Sequence, residues 1–276
     1  MVGLILLVPS HAALTKYRKH TPPEERLGFI PSFEVAYFSS LEYRLLVSEL
    51  IFYDATFYFG AIVDKPEEKP DYGRIWKYVN TSVRLNPYNI DPYYFGQAIL
   101  TWDAGMVREM NAMLEKGASK RNWDFYLPFF LGFNYSYFSN DYDKAARYMA
   151  KAAELNPDAG FLIPLAGRLF YQADKTDWAV QYLSMMLKGV KNDAIKKSLG
   201  IRIEALARIA FLEKGVRHFA SLNGRPPRKL DELLSAGILK KIPADPYGGQ
   251  FYFDPRDNKI KTTSNLAAPG ARNEPH

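Results

Sequence analysis

The chain contains no cysteine, which excludes disulfides, thiolate nucleophiles and Cys-ligated zinc. Histidine is scarce too: His11, His20, His218 and His276 are all there are, and no two share a metal-ligand spacing. There is no P-loop, no GxGxxG after a strand, no GxSxG and no HExxH. No window reaches the roughly 18 uninterrupted apolar residues of a membrane-spanning helix. Charge of one sign is not concentrated either. Thirty-six Lys and Arg stand against 30 Asp and Glu, a net charge of +6, with no basic stripe of the kind that tracks phosphates. These absences argue against an enzyme, a cofactor, a small-molecule substrate and a nucleic-acid partner.

Aromatic residues are plentiful, with 19 Tyr, 18 Phe and 4 Trp in a chain of 276 residues that is 47% hydrophobic. The length suits one extended array or two compact domains. So many tyrosines suit half-buried surfaces, where a ring packs and its hydroxyl stays wet. At the N-terminus, Val2 to Val8 form a short apolar run, with small residues at Ser10 and Ala12 and basic residues at Lys16, Arg18 and Lys19. Residues 1–13 are expected to be a signal or anchor remnant, and residues 14–40 an extension near the membrane. This places the chain in the periplasm, or anchored facing it. A buried first helix or strand is the alternative.

A repeat shows in the punctuation. Asn86-Pro87 recurs as Asn156-Pro157, with Arg121-Asn122-Trp123 between them. In parallel, Gly60, Gly96, Gly132 and Gly167 follow one another at 36, 36 and 35 residues. A glycine inside a helix costs about 1 kcal/mol against alanine, so its recurrence implies a packing reason. Each unit is expected to be an antiparallel helix pair, with the glycine where the second helix packs closest. The Asn-Pro pair would stop the second helix, because a residue before proline avoids the α region. The third unit is clearest: a helix from about Asp124 to Phe138, a turn at Ser139-Asn140-Asp141, and a helix from Tyr142 to Leu155 packed through Ala145, Ala146, Met149, Ala152 and Ala153. Gly167, Ala179, Leu183 and Met186 repeat the pattern in the fourth.

This pattern resembles the tetratricopeptide repeat family over about residues 41–192. The four glycines match the small residue of its first helix. Ala145, Ala152 and Pro157 match its second-helix alanines and terminal proline, whereas Ile75 and Asn111 depart from the first alanine site. The stretch from Ile30 to Gly60 also looks like envelope tetratricopeptide proteins of anaerobic Gram-negative bacteria. The resemblance implies an all-α right-handed solenoid of about four helix pairs whose first helices line a concave face. The residues facing that groove would be Tyr93, Gln97, Thr101, Phe129, Phe133, Tyr137, Arg168 and Gln172, with Tyr171 adjacent and Phe57, Ala61, Lys65 and Pro164 completing the rows. Core packing is the competing role for the phenylalanines.

Residues 193–222 read as a long helix capping the array. Residues 223–264 then form a small module of a short helix, Leu230 to Ala236, and a hairpin of Gln250–Asp254 and Lys259–Thr263. Residues 265–276 read as a disordered tail. The module is similar to the tail of type II secretion and type IV pilus pseudopilins, some of which bind calcium. Asp254, Asp257 and Asn258 are the candidate ligands, though ordinary turn chemistry explains the same residues. The expected function is a non-enzymatic envelope scaffold holding a protein or peptide segment in an aromatic groove. A second expectation is an accessory of pilus or secretion assembly acting through the C-terminal module. A third is a protein that binds or hydrolyses envelope glycans.

Overall fold

A computed structural model describes residues 27–63, 65, 67 and 69–264, together with Lys16. The apolar run 2–8, the small residues Ser10 and Ala12, the basic Arg18 and Lys19, and the expected tail 265–276 lie outside the described residues. The architecture is mostly helical, with one two-stranded sheet among the described residues. The chain divides into two compact units, residues 1–130 and 131–276. That division falls inside the stretch 41–192 that the sequence presents as one array.

In the first unit, α1 is Phe33–Ser40, α2 Arg44–Ile62, α3 Tyr72–Leu85, α4 Asp91–Phe95 and α5 Val107–Lys120. The helix α6, Tyr126–Tyr137, begins in it. A short 3₁₀ turn, Leu41–Tyr43, joins α1 to α2. The Ser48 hydroxyl donates to the Ser82 carbonyl at 2.9 Å, and the Asp71 amide donates to the Tyr58 hydroxyl at 3.0 Å. The start of α2 therefore meets the end of α3, and the end of α2 meets the start of α3, as an antiparallel pair requires. Asp71 caps α3 by accepting from the Arg74 amide at 2.9 Å, which satisfies one of the orphan donors of the first turn. Asn86 ends α3 at φ −134°, ψ 87°. Asn156 ends its own helix at φ −134°, ψ 78°. Both precede proline, and both have left the α region as that neighbour demands. The turn at Arg121 has no proline. An ion pair from Arg121 Nε to the buried Asp124 holds it at 2.9 Å.

The helix begun by α4 continues as a π turn over Gly96–Leu100, closed by the Thr101 amide donating to the Gly96 carbonyl at 3.2 Å. A Cβ on Gly96 would lie 2.9 Å from the Met110 sulfur, so this glycine admits α5. A second close approach comes from the other helix. A Cβ on Gly117 would lie 2.4 Å from the Tyr93 ring. Gly60 differs from the packing role given to it: nothing lies within 4 Å of where its Cβ would be. It stands near the end of α2 on the exposed side, away from α3, which α2 contacts through Phe52, Ala55, Tyr58 and Ile62.

In the second unit, α6 is followed by α7 Tyr142–Leu155, α8 Leu162–Gln172, α9 Thr176–Leu187, α10 Asp193–Asn223, α11 Asp231–Ser235, β1 Phe251–Asp254 and β2 Lys259–Thr262. Gly132 brings α6 against α7. Its Cβ would lie 3.1 Å from the Ala145 carbonyl and 3.2 Å from the Met149 amide, both backbone atoms. Gly167 does the same for α8 and α9, with Leu183 side-chain carbons at 2.8–2.9 Å. Ala145, Ala146, Met149, Ala152 and Ala153 are all buried. α10 packs along α9 and buries Leu199, Leu206, Ile209, Leu212 and Phe219. It ends at Gly224, whose φ of 67° is the left-handed cap that glycine adopts without cost. The strands pair antiparallel with Phe253 opposite Ile260, and both side chains are buried.

The C-terminal segment belongs to this unit's core. Leu230, Leu233, Leu239, Tyr247, Phe251, Phe253 and Ile260 are all buried. Leu233 and Leu239 pack over Gly215 of α10.

Candidate functional site

Three of the expected groove residues do not line an exposed concave face. Tyr93 and Thr101 are fully buried and Gln97 nearly so. The physical reason is helical phase. A residue three before the glycine is rotated about 60° from it at 3.6 residues per turn, so Tyr93 falls on the packed side and its ring covers Gly117. The π turn, with its i→i+5 bonding, then carries Thr101 round to the face of Gly96. The Tyr93 hydroxyl donates to the Pro87 carbonyl at 3.3 Å, and burial pushes its pKa up to about 12.

Two more are held inside their own unit. The Tyr171 hydroxyl donates to the Ile260 carbonyl at 2.7 Å, and burial pushes its pKa up to about 12. Lys259 donates to the Gln172 carbonyl at 3.1 Å and pairs with Asp174 at 2.8 Å. The C-terminal end of α8 therefore carries the outer edge of β2, through the Tyr171 hydroxyl and the Gln172 backbone carbonyl. Phe129 is half-buried in the first unit. In the second, Phe133 and Tyr137 stack at 5.5 Å, with Tyr137 exposed, and Arg168 is exposed.

The calcium candidates meet cations of their own chain. Lys261 pairs with both Asp254, at 2.9 Å, and Asp257. Arg256 adds a second cation on Asp254 at 3.3 Å. The position between the two carboxylates is thus taken by an ammonium. Lys261 and then Arg256 hold the Asp254 carboxyl well below the usual range. Asn258, at φ 56°, serves the turn. Among the described residues no group of three or more His, Cys, Asp or Glu could hold a metal.

Sequence reasoning missed two surfaces of the first unit. One is a cleft of about 730 Å³ between α3 and α5, walled by Trp76, Val83, Tyr93 and Met113 and rimmed by Arg84, Arg108, Lys116 and Lys120. Glu109 pairs with Arg108 at 3.9 Å and Glu34 with Arg84 at 3.7 Å, so four cations stand against two acids and the rim keeps a positive excess. Its basic residues come from two segments 24 residues apart, and nothing in a linear pattern joins them.

The second is apolar. Phe38, Leu41, Tyr43, Leu45, Leu46, Leu50, Tyr53 and Phe57 are all exposed along α1 and α2, Phe57 by 72%. The stretch Phe33–Ile62 is apolar and long enough to cross a membrane. It breaks at Leu41, whose φ is +47°, and its other side packs on α3. Exposed apolar surface on this scale marks an interaction site. The sequence showed it only as an aromatic run, because burial of one face and exposure of the other depend on where α3 packs.

No protein-family model matches the chain. No curated protein matches it either. Among solved structures it is similar to MamA, residues 41 to the end, from Desulfovibrio magneticus RS-1. The identity is 17%, over 51% of this chain and 74% of that one, with a TM-score of 0.36. The MamA RS-1 ArsTM double mutant gives 17% identity over 56% and 91%, with a TM-score of 0.33. Likenesses this distant carry no argument about fold or function. None of these comparisons supports the resemblance of the C-terminal segment to pseudopilins.

Proposed function

We propose that the chain is a protein-interaction scaffold built of tetratricopeptide-type helix pairs, working by binding and not by catalysis. The observation that carries this reading is the exposed apolar face of α1 and α2. A face of that size is costly to leave in water, and its aromatic side chains supply large contact area at interfaces. The recurring helix pair supports it, since each pair buries one side and leaves the other free to bind. The partner is a protein or peptide segment. The cations around the α3–α5 cleft favour one with acidic residues.

The site of action is the bacterial envelope, a reading supported by the apolar run 2–8 and the small residues after it. Fractionation with protease protection tests the location: a cytosolic, protected chain would refute it. For the interaction surface, Leu46→Glu with Phe57→Glu should remove partner co-purification from envelope membranes while helicity is retained. Undiminished co-purification would exclude this face. Phe133→Ala, Tyr137→Ala and Arg168→Ala together test the remaining residues of the expected groove in the same assay.

A further inference from the structure

The exposed face of α2 has a spacing that can pair with itself. Leu46, Leu50, Tyr53, Phe57 and Gly60 are spaced 4-3-4-3, which keeps them on one side of the helix, and Tyr43 stands at its N-cap, three residues before Leu46. All six are exposed. The order of sizes matters more than the spacing. About a centre between Ile51 and Phe52, Leu50 comes opposite Tyr53, Leu46 opposite Phe57, and Tyr43 opposite Gly60. Each aromatic ring thus meets an aliphatic side chain or a glycine. Gly60 has nothing within 4 Å of its Cβ position, so no packing among the described residues explains a glycine at this helical position. A ring from outside would.

We infer that this face is the contact between two copies of the chain, with α2 packed antiparallel on its symmetry mate and the Tyr43 ring seated over Gly60 of the other copy. A two-fold contact requires a self-complementary patch, and this one is self-complementary in both spacing and size. With Leu45 and Phe38 beside it, the exposed area is on the order of 800 Å² per copy, about what a stable complex buries on each side. A lipid surface fits less well. Glu49 and Asp54 lie on the flanks of the stripe in the middle of α2, and Asp54 is exposed. At bilayer depth an acid there costs about 3 kcal/mol.

The inference rests on reading this face as an interaction surface, and the experiment separates the two. Sedimentation of the full chain over a concentration series should show a dimer. Leu50→Glu should weaken it at least about tenfold, and so should Gly60→Leu, whose Cβ meets no described neighbour, with circular dichroism of the variant checking that the fold is kept. Because the chain has no cysteine, Leu50→Cys and Tyr53→Cys copies can be mixed and oxidised. The mixed disulfide should exceed either homodisulfide, and an excess of the Leu50→Cys homodisulfide would overturn the register. A wild-type monomer whose Leu50→Glu variant still loses an envelope partner would overturn self-pairing and leave the interaction surface standing. A monomer that instead floats with phosphatidylcholine–phosphatidylglycerol vesicles would assign the face to lipid. A monomer in which the variants change nothing would remove both.

Discussion

At the residue scale, glycines do opposite things in similar settings. Gly117 lets the Tyr93 ring lie where a Cβ would be, at 2.4 Å, and that ring is fully buried. Gly117→Ala should therefore destabilise the first unit by about 1–3 kcal/mol, read from the urea midpoint. Tyr171 is a different case, a single hydroxyl that closes a strand edge. Tyr171→Phe leaves the Ile260 carbonyl without its donor and should cost about 1–3 kcal/mol, with faster hydrogen exchange confined to β1 and β2. The Asp254–Lys261 pair gives a pH signature. Asp254 is depressed, so its contribution is present above its unfolded value of about 3.9 and is lost as pH falls through the folded value. Lys261 is raised to about 12, chiefly by Asp257 and then Asp254. Its contribution is present below about 10.4 and is lost as pH rises through the folded value. Asp254→Asn should lower hairpin protection by a constant ratio from about pH 5 to about pH 9. That difference should close as acid titrates the wild-type carboxyl.

At the scale of elements, the helix pair is set by a small residue on one helix and a stripe on the other, and the chain uses this three times with different partners. Gly96 faces a methionine, Gly132 faces backbone, and Gly167 faces a leucine. Substitution should be graded accordingly, with the flexible Met110 yielding most easily and the α6–α7 backbone least. The junction between α1 and α2 stores strain instead. Leu41 sits at φ +47° and ψ −122°, a conformation that costs a branched side chain about 1–3 kcal/mol. Its side chain is exposed, so Leu41→Gly should raise the melting temperature by relieving this cost without losing core.

For the whole molecule, the C-terminal segment is a working part of the second unit. It buries leucines against α10, and β2 covers the end of α8. Truncation after Asn223 removes seven buried apolar side chains, each worth about 1.5–3 kcal/mol when fully buried. The second unit should then melt at a markedly lower temperature and bind a hydrophobic dye. The same deletion therefore cannot serve as a clean test of a pilus or secretion role, because it perturbs the fold. Glu213 of α10 accepts from the Thr176 hydroxyl at 2.8 Å, and burial pushes its carboxyl upward. A raised carboxyl costs stability as pH rises through its folded value. Glu213→Gln keeps the acceptor, so it should stabilise the unit at neutral pH and lose that advantage in acid.

Much of the helical framework was legible because it is written in local chemistry. Proline after asparagine ends α3 and α7 by sterics that act within two residues, Asp71 and Asp141 cap the helices after them, and the alanine stripe of α7 follows the helical period. Gly96, Gly132 and Gly167 were legible as close approaches for the same reason. The candidate site was not legible. Tyr93 faced in by its helical phase relative to Gly96, and Thr101 by the π turn, a change of one residue in phase that is invisible to spacing. The Tyr171 hydroxyl and the Gln172 carbonyl were claimed by residues 89 and 87 positions later in the chain. Gly60 and its aromatic neighbours became an open face only because α3 packs on the other side of α2. Local sterics and period belong to the sequence; which side of a helix is left exposed is decided by what packs against it, and that is a property of the tertiary structure.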